Sequence, residues 1–180
     1  MIPFVTVPEN SKTLIQLHFM IKTALITGAT SGIGKATAKL LAQNNFKIVL
    51  CGRRKDRLEA LEKELSAFTA VHHLCFDVRD KKSVFESIAS LPEAFSDIDI
   101  LVNNAGNAHG LDSIQNGDMD DWDAMIDINV KGLLYVSKAI IPKMIAKESG
   151  HIINIGSIAG KEVYPNGNVY CASKYAEDAL

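Results

Sequence analysis

Short apolar runs alternate along this chain with stretches in which apolar residues recur at helical spacing. Ala24-Leu25-Ile26 is a compact apolar run between polar residues, which predicts a buried strand. KATAKLLAQNN then follows a helical pattern, placing a first helix over about Gly32 to Asn44. KIVLCGRR reads as a second strand and its exit. KDRLEALEKELSAF reads as a helix with Leu58, Leu61 and Leu65 on one stripe. AVHHLCFDV predicts a third strand ending at Asp77, and DKKSVFESIASL a third helix. DIDILVNNAG is a fourth strand leaving through Asn103-Asn104-Ala105-Gly106. Asp118 is placed to cap one long helix, DDWDAMIDINVKGLLYVSKAIIPKMIAK, whose last turns Pro142 should bend. GHIINIGS is a fifth strand ending at Ser157, and a last helix begins near Asn168. Strands alternating with helices predict an α/β fold, a doubly wound parallel sheet with helices on both faces.

The 180 residues, 47% hydrophobic and 22% charged, suit one domain with a full core. A net charge of −2 gives no electrostatic bias toward nucleic acid or an anionic membrane surface, and neither partner is expected. Cys51, Cys75 and Cys171 lie far apart, as reduced thiols do, and no cluster has metal-ligand spacing. No apolar run approaches bilayer length, and MIPFVTVPENSK lacks the basic and apolar regions of a signal peptide. A cytoplasmic protein is expected. Residues 1–19 fall outside the strand–helix pattern, although LIQLHF fits a short strand or a helical turn. They read as an N-terminal extension or a mis-assigned start with Met20 as the alternative, leaving a domain over residues 20–180.

The densest chemistry lies in Lys22 to Gly34, KTALITGATSGIG, a strand running through glycines into a helix. That arrangement surrounds a phosphate with backbone N–H groups and a helix N-terminus. Gly28, Gly32 and Gly34, with Thr30, Ser31 and Ile33 between them, therefore form a candidate nucleotide loop. At the second strand's end, where a carboxylate would select NAD, stand Cys51-Gly52-Arg53-Arg54. Arg53 in particular offers a planar fork to a 2′-phosphate, with Arg54 as a second charge and the hydroxyls of Thr30 and Ser31 beside them. Plain helix-start arginines are the alternative, but that leaves the missing acid unexplained. NADP(H) is the expected cofactor.

Tyr170 and Lys174 stand at i and i+4 on the final helix and share a face. An ammonium beside a phenol favours the phenolate, as a general acid/base near neutrality requires. Ser157 leaves the mouth of the fifth strand, so all three can reach the sheet edge where ligands of such folds bind. Asn129 is a polar residue among Ile126, Ile128, Val130 and Leu133.

TGATSGIG, NNAG, Asn129, Ser157 and YCASK, in this order and spacing, resemble the short-chain dehydrogenase/reductase family over essentially everything after Met20. The resemblance implies a Rossmann-type sheet and a tetrad of Asn129, Ser157, Tyr170 and Lys174. Tyr170 would exchange the proton with the substrate oxygen, and Ser157 would hydrogen-bond that oxygen. Lys174 would bind the nicotinamide ribose. Asn129 would hold a water, its backbone freed by a local distortion of the helix. Asp77 and Val78 would border the adenine, and Asn104, Ala105 and Gly106 the cofactor. Dimers or tetramers are implied, and the face with Leu133, Leu134, Val136, Ile140 and Ile141 is the expected contact.

The more detailed likeness is to NADP-dependent 3-hydroxy acid (serine-type) dehydrogenases, implying a small 3-hydroxy acid substrate. The alternatives are a reductase of 3-oxoacyl thioesters or other carbonyls, a non-catalytic NADP-binding regulator, or an inactive fragment. His109 follows the N-N-A-G turn and is a candidate substrate contact, whereas His72, His73 and His151 read as structural. The final helix stops at Leu180 without a glycine or asparagine cap. Family members run further, so the C-terminal strands are expected to be missing from this chain.

Overall fold

The computed structural model describes residues 21–180, so the reading of residues 1–19 and of the start at Met20 lies outside the described residues. The expected strand–helix alternation is present. Strands β1 (Thr23–Thr27), β2 (Lys47–Gly52), β3 (Val71–Cys75), β4 (Ile100–Asn103) and β5 (His151–Asn154) form one parallel sheet in the order β3-β2-β1-β4-β5. The chain moves outward from β1 in one direction, returns, and moves outward in the other. The sheet order therefore reverses between β1 and β4, and a crevice opens there at the carboxyl edge.

Helices α1 (Gly32–Gln43), α2 (Lys55–Leu65), α3 (Lys81–Ala89), α4 (Met119–Ile126), α5 (Leu133–Ala146) and α6 (Asn168–Asp178) complete the fold. Alternation along each strand sends side chains to opposite faces and builds two cores. Ala24, Ile26, Ile48 and Leu50 pack with Ala38 and Ala42 of α1 and with the predicted Leu58, Leu61 and Leu65 stripe of α2. Leu25, Val49 and Leu101 pack on the other face with Val84 and Ile88 of α3 and with Val136, Ile140 and Met144 of α5.

The ends of two strands and the apolar face expected to bind a second copy are corrected. The strands β3 and β5 end earlier than the apolar runs that predict them, at Cys75 and Asn154. Single backbone bonds from Phe76 to Gly52 and from Ile155 to Asn103 carry each chain onward to the site. The long helix carries the local distortion at Asn129 that the resemblance implies. Asp118 caps it as expected, accepting the Asp120 N–H at 2.8 Å, and residues Asp127–Gly132 are π-helical between α4 and α5. Pro142 sits inside α5, which continues to Ala146. The apolar face expected to bind a second copy is also divided. Leu133, Val136 and Ile140 are buried in this chain's own core, while Leu134 is 42% exposed. No helix among the described residues is long and apolar enough to cross a membrane.

Candidate active site

A groove of about 840 Å³ follows the carboxyl edge of the sheet. Its size is that of a small-molecule or cofactor site. The turn after β1 contributes Gly28, Thr30, Ser31, Gly32 and Ile33, and the exit of β2 contributes Arg53 and Arg54. Asp77 and Val78 follow β3, Asn104 to Ala108 follow β4, and Ile155 and Gly156 follow β5. Tyr170 and Lys174 of α6 close it.

The turn is shaped by two glycines in left-handed conformation. Gly28 has φ +64°, and a Cβ on it would come within 2.8 Å of Asn104 Nδ2. Gly32 has φ +53° and nothing within 4 Å of where a Cβ would stand, so its backbone faces open groove at the head of α1. The asparagine behind this turn is fixed in place. Asn104 Nδ2 donates to the carbonyls of Thr27 at 2.9 Å and Gly28 at 3.3 Å. Thr27 Oγ1 accepts the N–H groups of Asn104 and Ala105 at 3.0 and 2.9 Å. Gly34, a candidate cofactor residue by its spacing, does not line the groove. It is buried in α1 against Asn104, where only a hydrogen fits.

The two arginines differ in their surroundings. Arg54 donates to Thr30 Oγ1 at 2.7 Å and Ser31 Oγ at 3.2 Å, so a planar cation and two hydroxyls meet beside the glycine turn. Arg53 lies 3.5 Å from Asp77, which Arg79 also holds at 2.7 Å. Burial pushes the Asp77 carboxyl up. The Arg79 hydrogen bonds and the charges of Arg79 and Arg53 outweigh it and hold the group below its ordinary range.

At the other end, the π-helical turn carries Asn129 inward until it is fully buried. Its Oδ1 accepts the Asn107 N–H at 2.9 Å, and its Nδ2 donates to the Asn107 carbonyl and to Ser173 Oγ, both at 2.9 Å. Asn129 thereby ties the segment that follows β4 to α6. Lys174 Nζ donates to the Ile155 carbonyl at 3.1 Å and to Glu177 at 2.5 Å. A Cβ on Gly106 would stand 3.6 Å from that ammonium and 3.3 Å from Asn129 Oδ1, so these groups crowd one corner of the groove.

Ser157 stands beside the groove rather than in its lining. It follows Gly156, and its Oγ accepts the Ala159 N–H at 3.2 Å. His109 is not in the groove. It lines a narrow recess of about 10 Å³ with Asp112, Asp118 and Asp121, and Tyr170 lines both spaces. His109 Nδ1 is 3.6 Å from Asp121, and Nε2 is 2.5 Å from Asn107 Nδ2. His73 pairs with Glu62 at 2.6 Å, a structural role.

Sequence reasoning missed Thr27, Asn107, Ser173, Arg79 and Glu177. Thr27 and Ser173 sit inside the very motifs quoted, TGATSGIG and YCASK. Arg79 and Glu177 carry no spacing signal and become visible only through their partners.

The groove also passes a test of fit for a dinucleotide. It joins an open glycine turn at a helix N-terminus, an arginine among hydroxyls, and Asn107, whose buried Oδ1 has no partner among the described residues. The fold and this groove define a doubly wound α/β protein with a nucleotide-type cradle at its switch point. A family model described as short chain dehydrogenase matches residues 22–180, and the chain belongs to that family. The NADP-dependent 3-hydroxy acid dehydrogenase of Salmonella typhi is 47% identical over 150 residues, covering 83% of this chain and 60% of that protein. Sulfoacetaldehyde reductase 2 of Chromohalobacter salexigens is 47% identical over 156 residues, covering 86% and 62%. The closed form of serine dehydrogenase complexed with NADP+ is 44% identical with a TM-score of 0.80, covering 85% of this chain and 61% of its own. The chain thus spans about 60% of the length of the curated relatives it matches.

Proposed function

We propose that this protein is an NADP(H)-dependent oxidoreductase that interconverts an alcohol and a carbonyl, with a small 3-hydroxy acid as its substrate class. The observation that carries the reading is the convergence of Tyr170 and Lys174 on the groove that the glycine turn opens. Bound there, NADP(H) would supply or accept the hydride.

The chain's own residues would do the rest. Arg54, with Thr30 and Ser31, would hold the 2′-phosphate, and Arg53 would add a second charge partly satisfied by Asp77. Lys174 would donate to the ribose and hold a positive charge beside Tyr170. Tyr170 would move a proton to or from the substrate oxygen, and Ser157 would hydrogen-bond that oxygen as charge develops. Asn129 would hold Asn107 and Ser173 in register, keeping α6 aligned with the segment that follows β4. His109 would border the substrate through the recess it shares with Tyr170. That recess also holds Asp112, Asp118 and Asp121, so an anionic group of the substrate would be turned away from it.

A second acidic substrate class has support of its own, because a relative of equal identity is named as a sulfoacetaldehyde reductase. Both readings share a small carbonyl compound bearing an acid group. Oxidation of serine, allo-threonine and 3-hydroxy acids, and reduction of acid-bearing aldehydes, followed at the nicotinamide band, tests both. Silence with all of them sinks the enzymatic reading. The same proposal includes a cytoplasmic homodimer or homotetramer. Leu134 and Ile145, 42% and 70% exposed on α5, are candidates for its contact.

A further inference from the structure

One ionised group in this corner has no part in the scheme above. Glu177 lies one turn beyond Lys174 on α6, is only 5% exposed, and sets its Oε2 2.5 Å from the Lys174 ammonium, which is itself 6% exposed. A carboxylate at this depth is costly unless it is paired, so the pair stands or falls together. Burial pushes the Glu177 carboxyl up, and the hydrogen bond and charge of Lys174 pull the other way without cancelling it.

Lys174 is the charged group that bears on Glu177. The ionisable side chains on the elements around α6 are engaged elsewhere. Asp121 of α4 faces His109, and Asp123 acts on Lys131. Asp127 of the π-helical turn pairs with Lys131, and Lys161, past the turn after β5, pairs with Asp178. Asp118 caps α4, Asp120 is exposed there, and Tyr175 donates to the Lys161 carbonyl.

An ammonium has three N–H donors. Ile155 and Glu177 take two of them, which leaves one for the Gly106 corner of the groove. The carboxylate therefore does two things at once: it fixes the direction of the lysine, and it offsets part of the positive charge that the lysine presents to Tyr170.

We propose that Glu177 is a positioning residue for the Lys174–Tyr170 pair, a buried counterion that orients the ammonium and sets the pH range in which Tyr170 exchanges its proton. The proposal rests on the assignment of Tyr170 as acid/base. Tyr170 and Glu177 are seven residues apart on one helix, or about 10 Å. At an effective dielectric of about 20, removing a charge at that distance shifts a titration by about one pH unit.

The test compares the full-length protein with Glu177→Gln, whose amide oxygen still accepts from Nζ but carries no charge, and with Glu177→Val, which removes the acceptor as well. Two readouts are followed with NADP+ present. One is the pH profile of hydroxy-acid oxidation. The other is phenolate absorbance through a pH titration, read as the difference between each protein and its Tyr170→Phe counterpart, which needs no turnover. In both variants the acid limb and the Tyr170 titration should move down by about one pH unit. A titration that stays in place in Glu177→Gln overturns the proposal, even if turnover falls. A titration that moves in a protein silent toward every hydroxy acid and acid-bearing aldehyde supports Glu177 and sinks the proposed activity instead.

Discussion

Arg53 and Arg54 are adjacent in sequence and unequal in charge environment. The sequence made Arg53 the leading phosphate ligand, because nothing in a linear pattern reveals that Asp77, 24 residues on, comes within 3.5 Å of it. Among the described residues Arg54 has only hydroxyl partners, and none of them carries a charge. We expect Arg54→Ala to weaken NADPH binding roughly tenfold to a hundredfold, the cost of one charge-assisted contact, and to leave NADH nearly unaffected. Arg53→Ala should lose less. Fluorescence titration of both cofactors checks this, and equal affinity for NADPH and NADH in the unmutated protein contradicts it. Asp77 itself gives a pH prediction. Its folded value is lowered, so the stability it contributes is present above the ordinary carboxylate value of about 4 and is lost as pH falls through the lowered one. Melting curves of Asp77→Asn should therefore fall less steeply than those of the unmutated protein on acidification below about pH 4. Parallel curves would remove Asp77 from the account.

Among the elements, those that were legible had strong periodicity. The leucine stripe of α2 and the apolar run of β1 appear where the pattern put them. The interruption of the long helix was not legible from periodicity, because one inserted residue of π-helix leaves the apolar spacing on either side nearly intact. Only the resemblance, through the polar Asn129 at its centre, implied a distortion there. The structure gives that turn a mechanical reason: it delivers Asn129 to Asn107 and Ser173 at once. Asn129→Ala would leave the half-buried Asn107 backbone groups without their side-chain partners, and we expect it to cost about 1–3 kcal/mol of stability. It should also reduce turnover more than it reduces NADPH affinity, since its hydrogen bonds run to Asn107 and Ser173 rather than to the glycine turn or Arg54. Chemical denaturation and a cofactor titration decide this, and an unchanged midpoint would show that the three hydrogen bonds do not hold α6.

For the molecule as a whole, a parallel sheet and two-sided packing were readable from the strand–helix alternation, whereas the strand order and self-association were not. Three of the five residues assigned to a second copy are core residues, which a helical stripe alone cannot distinguish from an interface. With Leu134 and Ile145 exposed on α5, we expect light scattering of the full-length protein at micromolar concentration to give a dimer or larger, and a monomer would overturn that part of the proposal. The central claim is that α6 brings an acid/base to a nicotinamide cofactor. Its most direct test is a paired measurement on the full-length protein and its Tyr170→Phe variant: NADPH binding by fluorescence, and turnover with a 3-hydroxy acid or the matching carbonyl compound. The account predicts that the variant binds NADPH nearly as tightly and turns over at least a hundredfold more slowly, the lower end of what a general acid/base contributes. A variant that keeps most of its rate would contradict it.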